Sequence, residues 1–311
     1  MKNLNFKMYP IDLEVSKNIL NNFNDVSPNL INHLELLSSS PNSSNYIAHP
    51  HNKKASLVLK EISNSSLMQA KLLNEIIVLT SHIKRPKYIL TKDNKYFYEY
   101  KNKFFFVYEF INGEHFQAKT HSLESISSEL KLLNDAIAPL NYPERSSHYS
   151  YPPKINISKF VKNYPEYELY IQDNFSKYDE IKKNHKNYKP HTQFIDLHEK
   201  NCLFDFNSKA LLSIIDIDSI ASLPLNQSVG FTLIRLCLNR DDVLTFIKNY
   251  FKNQPSKIKI EKIIQLGQIE CFSRLFYIIN SYASNNEILW LGEFEKQVSF
   301  IKKGEKLIQT L

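Results

Sequence analysis

The sequence predicts an α+β chain in two parts, a small antiparallel sheet N-terminal to residue 112 and a mainly helical lobe over 113–311. Two observations carry this. Residues 55–62 and 87–110 are crowded with β-branched and aromatic side chains, whereas beyond Gly113 the apolar residues recur at three- and four-residue steps. With 42% apolar residues in 311, each part can bury a core of its own.

The strand segments are ASLVLKEI at 55–62 and KYILTKDNKYFYEYKNKFFFVYEF at 87–110, the second broken by polar turns at Lys92–Lys95 and Lys101–Lys103. Between them, Met68, Leu72, Leu73, Ile76 and Leu79 have helical spacing and Pro86 closes the segment. Leu123, Ile126, Leu130, Leu133 and Ile137 then mark an amphipathic helix that ends before Pro139. Residues 141–153 read as a loop rich in Pro, Ser and Tyr, and 155–186 as a polar helical stretch. Short strands return in FIDL, CLFDF and LLSIIDID over 194–218, and three helical segments are expected from Gly230 onward.

Composition narrows the function classes. The net charge of +7 is spread over scattered lysines without an arginine-rich block or a zinc, helix-turn-helix or RNP signature, so nucleic acid is not an expected partner. Cys202, Cys237 and Cys271 lie far apart in apolar surroundings without CxxC spacing, which predicts buried free thiols and a reducing compartment. No apolar run approaches the ~20 residues of a membrane span, and the opening MKNLNFKMYPIDLEV lacks a signal-peptide core. A cytoplasmic protein without a membrane partner is expected.

One constellation carries chemistry. In FIDLHEKNCLF, Asp196 and Asn201 stand five residues apart, and Asp216 follows at the end of the apolar strand LLSIID. A carboxylate to orient a hydroxyl, oxygen ligands for a divalent cation and a lysine for phosphates are what phosphoryl transfer requires, because positioning and charge neutralisation lower its barrier. Asp196 or Asn201 taken alone would read as a turn residue. Together, with Asp216 at the end of a strand, they make the turn reading the weaker one.

The segment resembles the signature of the aminoglycoside phosphotransferase and choline kinase superfamily, H-G-D-x-H-x-x-N-x-L followed by an apolar strand ending in D-x-D. The matching residues are Asp196, His198, Asn201, Leu203 and IIDID. The resemblance implies a two-lobed protein-kinase-like fold that binds ATP or GTP with Mg²⁺ and phosphorylates a small-molecule hydroxyl. It implies Asp196 as catalytic base, Asn201 and Asp216 as Mg²⁺ ligands and Asp218 as a second acidic group near the metal or the acceptor. Upstream it implies that Lys60 is aimed at the phosphates by an ion pair to Glu75, which shares a helical side with Leu72 and Leu79 and should face inward. FFFVYEFINGEHF resembles the adenine-binding hinge, with backbone contacts from Glu109, Phe110 and Ile111.

Two departures stand out. Phe194–Ile195 replaces the His-Gly before the catalytic aspartate, and the first glycine of the chain is Gly113, so Ser38–Asn45 must supply the phosphate-covering loop. There Ser43 and Ser44 would offer hydroxyls and backbone N–H groups to phosphate. A sugar or amino alcohol is the first acceptor class, with an aminoglycoside or a protein second. A nucleotide-binding pseudokinase and a basic interaction module are the rival readings.

Overall fold

The computed structural model describes residues 11–40, 43–50, 56–62, 67–140, 157–184, 189–252, 259–285 and 290–311. The chain divides into two compact units, Met1–Glu114 with Leu212–Asp218, and His115–Leu211 with Ser219–Leu311. The return of Leu212–Asp218 to the first unit is absent from a division at residue 112 alone.

In the first unit, α1 (Leu13–Leu20) precedes the strands β1 (Ile31–Ser40), β2 (Ser43–Pro50) and β3 (Leu57–Ile62). Helix α2 (Leu67–Leu79) and strands β4 (Phe97–Tyr100) and β5 (Lys103–Glu109) follow. The sheet has the order β1-β2-β3-β5-β4, antiparallel at every step. Helix α1 starts at Asp12, whose Oδ1 accepts a hydrogen bond from Glu14 N at 2.7 Å. Its Ile19 and Leu20 pack with Tyr46, Leu59, Phe105 and Val107 in one core cluster. Strand alternation therefore turns Val58, Lys60, Phe106 and Tyr108 to the other face. All four are also buried, which explains why KFFFVYE reads as one continuous apolar run.

The strand expected from residue 87 begins only at Phe97, and Tyr88 contributes a single isolated bridge to Tyr108. Asn94 takes a φ of 59°, a left-handed turn that ends the extended run. Helix α2 buries Ala70, Leu73, Ile76 and Ile77, while Met68 and Leu79 stay 62% and 38% exposed. Its C-terminal carbonyls are capped by Arg85, which donates from Nε to Thr80 O (3.0 Å) and from Nη2 to Ile77 O (2.6 Å).

Strand β6 (Glu114–His115) stands at the junction, and the second unit opens with α3 (Leu123–Ile137), capped by the Ser122 hydroxyl. Helices α4 (Ser158–Asn163) and α5 (Glu168–Asn184) lead to β7 (Pro190–Phe194) and β8 (Cys202–Phe204). Strand β9 (Leu211–Ile214), which from Leu212 onward belongs to the first unit, precedes β10 (Ile220–Pro224), which pairs antiparallel with β7. Among the described residues four helices follow: α6 (Gln227–Leu236), α7 (Arg240–Tyr250), α8 (Ile260–Asn285) and α9 (Trp290–Thr310). The expectation was three from Gly230, but Gly230 lies inside α6 and has a packing role. A Cβ there would stand 1.8 Å from Ile263 O, and one on Gly267 would stand 2.2 Å from Gly230 C. The two glycines let α6 and α8 meet backbone to backbone. The three cysteines are free and buried, and no described helix is long and apolar enough to cross a membrane.

Candidate functional site

The expected site residues divide between the units: Lys60, Glu75, Asp216, Asp218, the Ser38–Asn45 segment and 109–111 belong to the first, Asp196 and Asn201 to the second. In the first unit, Lys60 is 3% exposed on β3, and its ammonium sits between two carboxylates. Nζ donates to Asp216 Oδ1 at 3.0 Å and to Asp218 Oδ1 and Oδ2 at 2.9 Å each. The aspartates are held there because Ile214 N donates to Lys84 O (2.7 Å), next to the Arg85 that caps α2. Burial works against the lysine charge, but Asp218 and then Asp216 outweigh it and hold the ammonium pKa well above the ordinary value. Asp216 itself has a left-handed φ of 57°, an uncommon conformation outside glycine.

Glu75 is not part of this cluster. The stripe of α2 that points inward runs through Leu73, Ile76 and Ile77, and at about 100° per residue Glu75 lies on the opposite side. Leu72 and Leu79, which suggested an inward side, are themselves half-buried and exposed, and Glu75 is exposed with them. The expected Lys60–Glu75 ion pair is thus replaced by Lys60–Asp218 and Lys60–Asp216.

The glycine-free segment is a hairpin rather than an open loop. Ser38, Ser39 and Ser40 pair with Asn45, Ser44 and Ser43 as strands, and residues 41 and 42 lie outside the described residues. Ser44 is 2% exposed and Ser43 half-buried, so these serines are strand residues with packing duties, not an exposed turn. Asn45 bridges Ser38 Oγ (2.9 Å) and the Tyr108 hydroxyl, which donates to its Oδ1 (3.3 Å). At the expected hinge, Glu109 N donates to Lys87 O and Phe110 N to Ser56 O, both at 3.0 Å. Those two N–H groups are spent on the fold.

In the second unit Asp196 follows β7 and is 27% exposed. Its Oδ1 accepts from Arg235 Nη1 at 3.0 Å and lies 3.6 Å from Arg274 Nη2. The Gly230–Gly267 contact is what brings α6 and α8 close enough for both guanidiniums to reach one carboxylate. Arg235 and Arg274 also flank the Phe231 ring at 4.6 and 4.7 Å from its centroid. Burial would raise the Asp196 pKa, but the two arginines outweigh it and hold the carboxyl far below the usual range. His198, 3.9 Å from the other oxygen, is pushed down to about 4 by burial and by Arg235, so it is neutral at pH 7. Asn201 is buried, and its Nδ2 donates to Asp196 O at 2.9 Å, which ties the two expected residues into one turn. The planar amide then directs Oδ1 away from that carbonyl.

The missing His-Gly is compensated from elsewhere. Asn134 on α3 accepts from Phe194 N (2.9 Å) and donates to the Tyr250 hydroxyl (2.9 Å), fixing the end of β7 two residues before Asp196. Asn134, Arg235 and Arg274 were not anticipated. The arginines had a signal: the chain holds only five among 39 basic residues, and a guanidinium kept in a lysine-rich chain marks a place that needs its fork.

No family model matches the chain, and no curated protein does. Solved structures do. A spectinomycin phosphotransferase in complex with ADP and spectinomycin is 13% identical with a TM-score of 0.71, covering 97% of this chain and 100% of the other. An amicoumacin kinase in complex with AMP-PNP, Ca²⁺ and its substrate is 12% identical with a TM-score of 0.63, covering 96% and 94%. A choline kinase from Cryptosporidium parvum is 15% identical with a TM-score of 0.62, covering 96% and 97%. The antiparallel-sheet unit, the helical unit and these likenesses establish that the chain has the kinase-like fold of these solved phosphotransferases and kinases.

Proposed function

We propose that this chain is a small-molecule kinase that moves the γ-phosphate of ATP or GTP onto the hydroxyl of a sugar or amino alcohol, in the cytoplasm. The observation that carries the reading is the buried Lys60 held between Asp216 and Asp218. A fold has little structural reason to bury an ammonium against two half-buried carboxylates, since desolvation consumes most of what their attraction returns. A site for a nucleotide has a reason: the lysine meets phosphate oxygens and the carboxylates meet a divalent cation.

The donor set fits Mg²⁺. Asp216 is engaged by Lys60 through Oδ1 alone and is 39% exposed, so its second oxygen is open to the ion, and Asn201 of the second unit carries a hard amide oxygen of the type that the resemblance assigns to Mg²⁺. Mg²⁺ bound there would neutralise phosphate charge in the transition state. Asp196 would accept the acceptor hydroxyl's proton through the oxygen that Arg235 does not engage, while Arg235 keeps the carboxylate in one orientation. As that hydroxyl oxygen bonds to the γ-phosphorus, the bond to the β,γ-bridging oxygen breaks and ADP or GDP leaves.

A pseudokinase is the second reading, and a specific observation favours it: two arginines on Asp196 make it a very weak base. One experiment separates the readings. Heat stability is measured with and without Mg²⁺ and nucleotide, and ADP release is followed against a panel of sugars, amino alcohols and aminoglycosides. The kinase reading expects Mg²⁺-dependent stabilisation and acceptor-dependent ADP release. Stabilisation without transfer to any acceptor would select the pseudokinase, and no nucleotide binding would sink both.

A further inference from the structure

We infer that Asp218 is the residue that aims Lys60 in this chain, and that Asp216 alone of the two aspartates is left to ligate a metal ion. The inference rests on the nucleotide reading above and reassigns the two acids within it. Both oxygens of Asp218 face Nζ at 2.9 Å, whereas Asp216 offers one, at 3.0 Å. A carboxylate whose two oxygens are both turned to one ammonium has its best lone pairs committed, so it is a poor metal ligand but a firm hold on the lysine. Asp216 differs in the respects that matter: one oxygen is uncommitted, the side chain is 39% exposed against 30% for Asp218, and its φ of 57° fixes how that side chain is presented.

Other acids of the first unit are placed elsewhere. Glu75 stands on the outward side of α2, and Glu61, next to Lys60 in the chain, alternates to the other face of β3 and pairs with Lys103 at 2.5 Å. An ammonium has three N–H donors. In the nucleotide-free protein they are shared between Asp218 and Asp216. When a phosphate enters, the N–H released by Asp216 turns to a phosphate oxygen while Asp218 keeps the lysine in place. No bond is made or broken in this exchange beyond hydrogen bonds.

Asp218 is thus a positioning residue, and its loss should read differently from loss of a metal ligand. The test measures binding of a non-hydrolysable ATP analogue by calorimetry, with Mg²⁺ and with chelator, for the parent, Asp218→Asn, Asp216→Asn and Glu75→Gln. Asp218→Asn should weaken binding ten- to a hundredfold, the usual cost of losing a partner that orients a liganding group, and by the same factor with and without Mg²⁺. Asp216→Asn should weaken it chiefly when Mg²⁺ is present, and Glu75→Gln should change neither. Asp218→Asn acting only through the Mg²⁺ requirement would overturn the inference.

Pairing is read separately by double-mutant cycles in heat stability, which need no nucleotide. Lys60→Met should couple to Asp218→Asn and not to Glu75→Gln, and the reverse pattern would overturn the assignment. If Asp218→Asn fails to fold, Asp218→Glu takes its place: the retained charge should hold the fold while the displaced carboxylate still weakens metal-free nucleotide binding, and unimpaired binding would count against positioning. A parent that binds no nucleotide would overturn the positioning role together with the proposed function, whereas a parent that binds normally with Asp218→Asn unimpaired would overturn the positioning role alone.

Discussion

The two charged clusters invert one another. In the first unit one cation, Lys60, lies between two carboxylates, and in the second one carboxylate, Asp196, lies between two cations. The Lys60 cluster carries a net −1, an excess that a bound cation would balance. The Asp196 cluster is balanced inside the protein, because Arg274 is also held by the buried Glu270 at 2.8 Å. A charge excess kept at a partly open group marks a place for a ligand, whereas a balanced and packed set marks a group fixed in position. This contrast supports the proposal that Asp216 takes the metal, and it leaves Asp196 held in one orientation.

The largest expected effect breaks the second cluster. Asp196→Asn removes the proposed proton acceptor, so transfer to the best acceptor should fall by about 10³-fold or more while nucleotide affinity is kept. The same change leaves Arg235 buried opposite a neutral amide and should cost about 3 kcal/mol in urea unfolding. Transfer at the parent's rate would show that another group is the base. Asp216→Ala breaks the first cluster at its open side. Nucleotide affinity measured with Mg²⁺ should fall on the order of tenfold or more, together with turnover, and unchanged affinity would remove Asp216 from the metal site.

A pH series sharpens the comparison without mutation. The folded-state pKa of His198 is lowered to about 4 from an ordinary value near 6.5, so below about pH 6.5 the unfolded chain takes a proton that the folded chain refuses. Stability should therefore fall between about pH 6.5 and 4, by roughly 3 kcal/mol at most. Asp196 adds a second loss below about pH 4, since its folded pKa is depressed and its contribution disappears as the pH falls toward that value. Urea midpoints from pH 7 to about pH 2 on the parent and His198→Gln check this, with the first loss confined to the parent and the second shared by both. The smallest effect belongs to Glu75→Gln, which should change stability by less than about 0.5 kcal/mol and leave turnover alone. A large loss of turnover would return Glu75 to the site.

Legibility differed by kind of residue. The turn that carries Asp196 and Asn201 and the strand that precedes Asp216 were readable because short elements fix residue spacing along the chain. Glu75 was misread because α2 is apolar on more than one side, so sequence alone offered two candidate inward stripes, and Leu72 with Leu79 marked the wrong one. The serine segment was read as a loop because Ser and Asn favour turns, yet pairing with β3 on one side and within its own hairpin made it strand. Helix α1 passed unnoticed although Asp12 and the apolar residues after it carry a start signal.

By itself the sequence determined the two-part α+β architecture, the free buried cysteines and the order of the chemical groups, since periodicity, composition and local spacing are properties of the chain. Only the tertiary structure decided which charges meet. Lys60 and Asp218 are 158 residues apart, Asp196 and Arg235 are 39, and no local rule links either pair. Those partners follow from helix phase, from Gly230 and Gly267 letting α6 approach α8, and from the return of Leu212–Asp218 to the first unit. A buried charge takes the partner that packing delivers, because leaving it unpaired costs more than any local preference can return.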